Sequence, residues 1–295
     1  MRGIPLFEEH WTYQVLELSE LERAFLVERR LASVDLVRSM TSGTGGVVAP
    51  DERVSLMINE EDHLRLQVIL PGFQLDEAWE ILHTLDQDLG ARVEYAYSGD
   101  FGFLTTHPSN LGLAMRCSVL LHLPGIVLSR KLEAFARLLA EKQLLLRGFY
   151  GEWSRALGNM FQISSRKTLG VSEEDMLDAF RLAVIQILNM EKEAREELLK
   201  EHRTALEDKI FRSLAILKSA RMIHFQEASL HLSFLRLGVG LGLLLDIPVQ
   251  VLNEMLMFGQ PAHLQILYDH SMDSEERDVL RARYFRTKLT ATGLA

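Results

Sequence analysis

The hydrophobic period of this chain changes near Gly170, and the two textures demand different architectures. Upstream, Val54, Leu56 and Ile58, then Leu64, Leu66 and Val68, alternate with polar residues, as do Cys117, Val119, Leu121 and Leu123 with Ser118 and His122. A period of two reads as strands with one face on a core. Downstream, Ser172-Glu173-Glu174-Asp175 resembles a capping box, and Met176, Leu177, Phe180, Val184, Ile187 and Leu188 follow at helical spacing. Leu206, Ile210, Leu214 and Leu217 continue that period. Pro248 and Gly259 bracket a further helix, and Asp273 opens a last one. The fold class is therefore α+β, an antiparallel sheet flanked by helices, followed by an all-α C-terminal domain. The boundaries are 1–50 for an N-terminal region and linker, 51–170 for the α+β domain, and 171–295 for the helical domain.

Within the first part, residues 16–36 read as one helix and the glycine-rich 39–50 as a linker or mobile loop. That loop lacks the Lys-Ser/Thr of a P-loop, so it is a weak phosphate cradle. Residues 75–89 form a helix, 93–98 and 101–106 a hairpin turning at Gly99-Asp100, and 106–116 a polar loop. A helix is expected over 124–139, with strands over 144–150 and 160–163. The 295 residues carry 47% hydrophobic side chains and a net charge of −9, which leaves no basic field for nucleic acid. The lone cysteine, Cys117, excludes a disulfide framework and fits the cytoplasm. No apolar targeting stretch follows Met1, so no signal peptide is expected. Residues 232–251 are apolar but contain Arg236, Asp246, glycines and a proline, which suits buried helices rather than a membrane span, while Leu232–Leu245 and the apolar helical domain suit a homodimer.

The chemistry concentrates around V-S-L-M-I-N-E-E-D-H-L-R-L-Q, residues 54–67. Alternation puts Asn59, Glu61, His63, Arg65 and Gln67 on one strand face. Glu60 and Asp62 break the apolar row, so a tight turn or bulge is expected there. Three acids in a row suit a metal, acid–base work or a cationic substrate; alone they are most often a solvated turn. Arg65, Arg116 and Arg147 add guanidinium forks, which match phosphate oxygens bidentately. A lone arginine is more often a surface ion pair, but three of them beside acids make a site for a polyphosphate next to a cation. Arg277 and Arg281 stand four apart on one helix face, with Asp278 adjacent. Alone, that string is an ordinary charged face.

Several motifs then agree in order and spacing. N-E-E-D-H-L-R (59–65), T-x-P-S-N-L-G-x-x-x-R (106–116) and R-G-F-Y-G-E (147–152) resemble signatures of the ATP:guanidino phosphotransferases, the phosphagen kinase superfamily. G-N-M-F-Q-I-S (158–164), the appended helices and R-D-V-L-R-A (277–282) are similar to its bacterial branch, the protein-arginine kinases. The resemblance covers nearly the whole chain and implies a glutamine-synthetase-like catalytic domain. It further implies transfer of the γ-phosphoryl of ATP, with Mg²⁺, to arginine side chains of proteins. Glu61 stands at the catalytic-base position, with Glu152 as a second carboxylate. Arg65, the segment Arg116, Cys117, Ser118, Val119 and Leu120, and the segment Arg147, Gly148, Phe149, Tyr150, Gly151 and Glu152 correspond to nucleotide binding. Arg277, Asp278, Arg281 and Ala282 correspond to a phosphoarginine pocket. No protein metal site is implied. Implied partners are arginine-bearing proteins, a protease or unfoldase complex that degrades marked proteins, and an activating adaptor.

The chain also departs from the family pattern. It lacks the N-terminal S-S-R-[IV]-R string and reads as N-terminally shortened. Arg30 replaces a nucleotide-contacting histidine, His107 a loop cysteine, and Leu113-Ala114 a Thr-Gly pair; Trp153 replaces a loop glycine. Two function classes stay open: a protein-arginine kinase, and a kinase-like regulatory module that binds phosphoarginine. A free-arginine or creatine-type phosphagen kinase is disfavoured by the helical domain and R-D-V-L-R-A.

Overall fold

A computed structural model describes residues 9–149 and 157–292. The chain divides into two compact units, Met1–Arg116 with Lys167–Asp178, and Cys117–Arg166 with Ala179–Ala295.

The first unit is built on a four-stranded antiparallel sheet of β1 (Trp11–Gln14), β2 (Gly45–Val48), β3 (Val54–Ile58) and β4 (Leu64–Val68), in that spatial order. Both of its faces are covered. Val48 and Met57 pack with Tyr13, Val15 and Leu36 on the side of α1 (Glu20–Glu28) and α2 (Val34–Arg38). Val47, Val54 and Leu56 pack with Leu85 and Leu89 of α3 (Leu75–Gly90). A small hairpin of β5 (Tyr97–Ser98) and β6 (Gly102–Phe103) follows.

Three sequence expectations change here. Residues 39–50 are not a linker, because β2 is buried along its length between β1 and β3. Its glycines serve close approach: a Cβ on Gly45 would overlap the Tyr13 carbonyl, and one on Gly46 the Tyr13 ring. The helix expected over 16–36 is two helices. Ser19 starts α1 with a full capping box, and Arg30, at φ +61°, ends it by turning the Leu31 and Ala32 amides back onto the Leu26 carbonyl. Residues 54–67 turn where a turn is expected, in a hairpin closed by Asn59 at φ +55°, but Glu61 and His63 lie in the turn and not on the strand face of Arg65 and Gln67.

The second unit holds a three-stranded antiparallel sheet of β7 (Ser118–His122), β8 (Leu144–Gly148) and β9 (Met160–Ser165), ordered β7-β9-β8. The helix expected over 124–139 is again two, α4 (Pro124–Leu128) and α5 (Leu132–Glu141), broken at Arg130 with φ +56°. Then come α6 (Glu173–Glu201), α7 (Arg203–Ser219), α8 (Phe225–Gly240), α9 (Val249–Phe258), α10 (Pro261–Leu267) and α11 (Ser274–Ala291). Antiparallel sheets flanked by helices, then a helical C-terminal region, is the expected fold class. The unit boundary at Asp178 falls inside α6.

The helices bury Ile210, Leu217, Leu232, Leu235, Leu237, Leu252, Met255 and Phe285 in one core. This explains the apolar run 232–251 without a partner, although Leu245 is 83% exposed. Gly238 lets α8 approach closely, since a Cβ there would lie 2.7 Å from Ile210. Ser233 of α8 takes hydrogen bonds from Asn159 at 2.7 Å and pairs with His122 at 2.8 Å. Among the described residues, no helix is long and apolar enough to cross a membrane.

Candidate functional site

The β3–β4 turn carries the acids. The Asn59 amide donates to the His63 carbonyl at 2.9 Å, and its side chain donates to Gly43 at 3.0 Å, which ties the turn to the chain before β2. Glu60 folds inward. Its carboxylate accepts from the Glu61 amide at 2.9 Å and from Arg65 Nη1 at 2.7 Å. Burial alone would raise the Glu60 carboxyl, but hydrogen bonds from Ser33 and the Glu61 amide, with the Arg65 charge, hold it below the usual carboxylate range. Glu60 is thus the structural acid of the triplet, and Arg65 pairs with it rather than with Glu61. Arg65 is still half-exposed.

Glu61 projects the other way and is exposed. Its Oε1 accepts from Asn110 Nδ2 at 3.0 Å, while Asn110 Oδ1 accepts from Arg116 Nη2 at 2.9 Å. One amide therefore links the expected base to an expected phosphate-binding arginine. Asp62 Oδ1 accepts from the Thr106 amide at 2.6 Å and docks the start of the same loop onto the turn. The loop continues through a short 3-10 turn, Pro108–Asn110, capped by His107, which pairs with Ser109 at 2.9 Å. Ala114 has φ +49°, a conformation glycine adopts without strain, so the alanine in the family's glycine place carries a backbone cost.

In the second unit, the register Leu120↔Gln162↔Arg147 and Ser118↔Ser164 puts Ser118, Leu120, Gln162, Ser164 and Arg147 on one sheet face. Ser118 and Ser164 share a hydrogen bond at 2.8 Å. Cys117 is buried, and burial pushes its thiol up to about 11, so it is a packing residue. Val119 points to the opposite face, and Gly148 and Phe149 are buried. Tyr150, Gly151, Glu152 and Trp153 lie outside the described residues.

On α11, Arg281 is 1% exposed. Its Nε donates to the Gly259 carbonyl at 2.6 Å, and its Nη1 donates to the Ile223 carbonyl at 2.9 Å and to Asp278. Asp278 also meets His224. Arg277 donates to the Met272 carbonyl at 2.8 Å. The two arginines therefore have different surroundings, although they stand one turn apart. Ala282 is buried beside them.

Residues 7–194 match the family model described as ATP:guanido phosphotransferase, C-terminal catalytic domain. The fold is similar to a duplicated taurocyamine kinase from Schistosoma mansoni with bound transition state analog components. The TM-score is 0.56 at 27% identity, over 62% of this chain and 26% of that one. A lombricine kinase, 23% identical, shares the fold with TM-score 0.53 over 62% of this chain and 54% of that one. Residues 203–294 match the model of the protein-arginine kinase McsB C-terminal domain. A protein-arginine kinase from Desulforamulus reducens is 39% identical over 94% of this chain and 78% of its own length. One from Brevibacillus brevis is 42% identical over 92% and 76%. The chain belongs to the protein-arginine kinase family of ATP:guanido phosphotransferases.

The motif strings singled out Glu61 and Arg116, and the structure joins them through Asn110, which the strings contained but did not single out. Its signal was present in T-H-P-S-N, where a polar residue without charge ends a Pro-Ser turn. The alternation sets Glu60 in the apolar row and Glu61 on the polar face, and the structure turns Glu60 inward.

Proposed function

We propose that this chain transfers the γ-phosphoryl group of ATP to arginine side chains of proteins. The observation that carries this reading is the Glu61–Asn110–Arg116 bridge, which links an exposed carboxylate to a guanidinium through two hydrogen bonds of 3.0 and 2.9 Å. A guanidinium has a pKa above about 12 and no lone pair to spare, so it needs a base to become a nucleophile. Glu61 aligns the substrate guanidinium and takes its proton as the N–P bond forms. The bond between the γ-phosphorus and the ADP oxygen breaks, and ADP leaves. Arg65, Arg116 and Arg147 hold phosphate oxygens and neutralise the charge on the transferring group. Ser118, Leu120 and the segments 117–120 and 147–149 take the nucleotide; Tyr150, Gly151 and Glu152, outside the described residues, correspond to the rest of that segment by the family motif, with Glu152 as the second carboxylate for the guanidinium.

Mg²⁺ belongs with the ATP. No cluster of three or more potential metal ligands stands among the described residues, and Mg²⁺ characteristically takes one or two carboxylates plus substrate phosphates. When bound, it neutralises phosphate charge. Asp278 and Arg277, with Arg281 and Ala282, form the proposed phosphoarginine pocket of the 171–295 segment, while 51–170 carries phosphotransfer after the 1–50 region. A cytoplasmic location, self-association into a homodimer, an activating adaptor and a protease or unfoldase that consumes the marked proteins complete the proposal.

The test is direct. The purified chain is incubated with Mg-ATP and an arginine-rich acceptor protein, and acid-labile phosphate on arginine is measured by mass spectrometry. Phosphoarginine is expected; its absence, together with absent ATP binding by calorimetry, contradicts the reading.

A further inference from the structure

The loop that carries Asn110 is held by a residue far away in sequence. Thr168 is buried, and its hydroxyl lies 2.8 Å from the Leu111 carbonyl and 3.2 Å from the Ser109 carbonyl. Its own carbonyl accepts from the Leu113 amide at 2.9 Å. One residue therefore grips positions 109, 111 and 113, and Asn110 sits inside that grip. Gly112 runs so close to Thr168 that a Cβ would overlap the Thr168 carbonyl, and its φ of +104° excludes ordinary side chains as well. From the other side, Phe103 and Gly112 exchange backbone hydrogen bonds of 2.8 and 3.2 Å. The Asn110 amide and carbonyl are tied to His107 and Ala114 at 3.0 and 3.1 Å.

This matters because the side chain of Asn110 works in one orientation only. Its NH₂ must face Glu61 and its oxygen must face Arg116. Turned over, the oxygen would meet a carboxylate and the NH₂ a guanidinium, and neither pair has both a donor and an acceptor. A loop fixed at 109, 111 and 113 leaves the backbone little freedom to rotate the amide out of register.

We propose that Thr168 is a positioning residue for phosphotransfer: its hydroxyl seats the 109–113 loop so that Asn110 holds Glu61 and Arg116 in one arrangement. This rests on Glu61 being the base. Thr168 lies outside every motif string that pointed to the site.

A double-mutant cycle tests it, with kcat for arginine phosphorylation read at saturating Mg-ATP in the full chain. Thr168→Val keeps the shape and removes the donor, so kcat is expected to fall about tenfold, while Thr168→Ser stays within about twofold of the parent. Asn110→Ala falls by a similar factor. In the Asn110→Ala background, Thr168→Val is expected to add less than about twofold, because the group it positions is already gone. A merely structural role predicts the opposite, a full and independent loss in both backgrounds, and that result overturns the proposal, as does an unchanged kcat in Thr168→Val. If Thr168→Val melts below the assay temperature, Thr168→Ala supplies the same cycle. Glu61→Gln is assayed alongside. Parental kcat in that variant overturns the base assignment, whereas an inactive Glu61→Gln with additive Thr168 and Asn110 effects overturns the positioning role alone.

Discussion

Arg281 is held with its guanidinium inside the second unit, on the carbonyls of Gly259 and Ile223 and on Asp278. Removing it takes a donor from the Gly259 and Ile223 carbonyls and leaves buried Asp278 without the guanidinium beside it. Arg281→Ala is therefore expected to lower stability by about 3–5 kcal/mol in urea unfolding, where Arg277→Ala, at a half-buried position, costs about 1 kcal/mol or less. Loss of phosphoarginine binding in Arg281→Ala would mix these effects, so Arg277→Ala is the variant for calorimetry. His122 supplies a second residue-scale prediction. Burial, then the charges of Arg195 and Arg236, push its imidazole well below the ordinary value. The folded state thus keeps it neutral where the unfolded chain binds a proton. Its contribution to stability is present above the unfolded value of about pH 6.5 and is lost progressively as pH falls below it. His122→Gln should flatten that dependence in urea titrations between pH 7 and 5.5; an unchanged slope rejects it. At this scale the strings bring Glu61, Arg65 and Arg116 to attention but do not give their hydrogen-bond partners. N-E-E-D does not say that Glu60 takes Ser33 and Arg65 as partners, and R-D-V-L-R-A does not say that Arg281 is a core residue. Both depend on groups distant in sequence: Ser33 for Glu60, Gly259 for Arg281.

The strand β2 is the element that hydropathy hides. S-G-T-G-G-V-V has the composition of a loop, and its glycines signal flexibility when read locally. In the sheet they signal crowding instead, since the Tyr13 carbonyl and ring fill the space a side chain would need. Gly45→Ala is expected to lower stability by about 1–3 kcal/mol through overpacking against the β1 backbone, read as a lower urea midpoint with an unchanged slope. A midpoint equal to the parent would mean that β1 does not pair as described. The long helices were readable because their stripes repeat over several turns. The breaks inside 16–36 and 124–139 were not, because Arg30 and Arg130 carry positive φ with no glycine to announce it. The hairpin 54–68 shows the intermediate case: alternation found both strands, and N-E-E-D marked the turn between them.

Across the whole molecule, the last strand among the described residues ends at Ser165 and α6 starts at Glu173, on either side of the change of period at Gly170. The compact units divide the chain elsewhere, at Arg116, Arg166 and Asp178, since the β7-β9-β8 sheet packs with the later helices through Ser233, Asn159 and His122. Such long-range grouping has no local pattern to announce it. The central claim is that Glu61 is the base for guanidino transfer, held by Asn110 beside Arg116. Single-turnover transfer from Mg-ATP to an acceptor protein, compared between the parent and Glu61→Gln, tests it most directly. The glutamine keeps the shape and the hydrogen-bonding length but cannot take a proton. A fall of about 10²–10⁴ in the transfer rate, with ATP affinity unchanged by calorimetry, is predicted; a transfer rate in Glu61→Gln within about twofold of the parent would contradict the account.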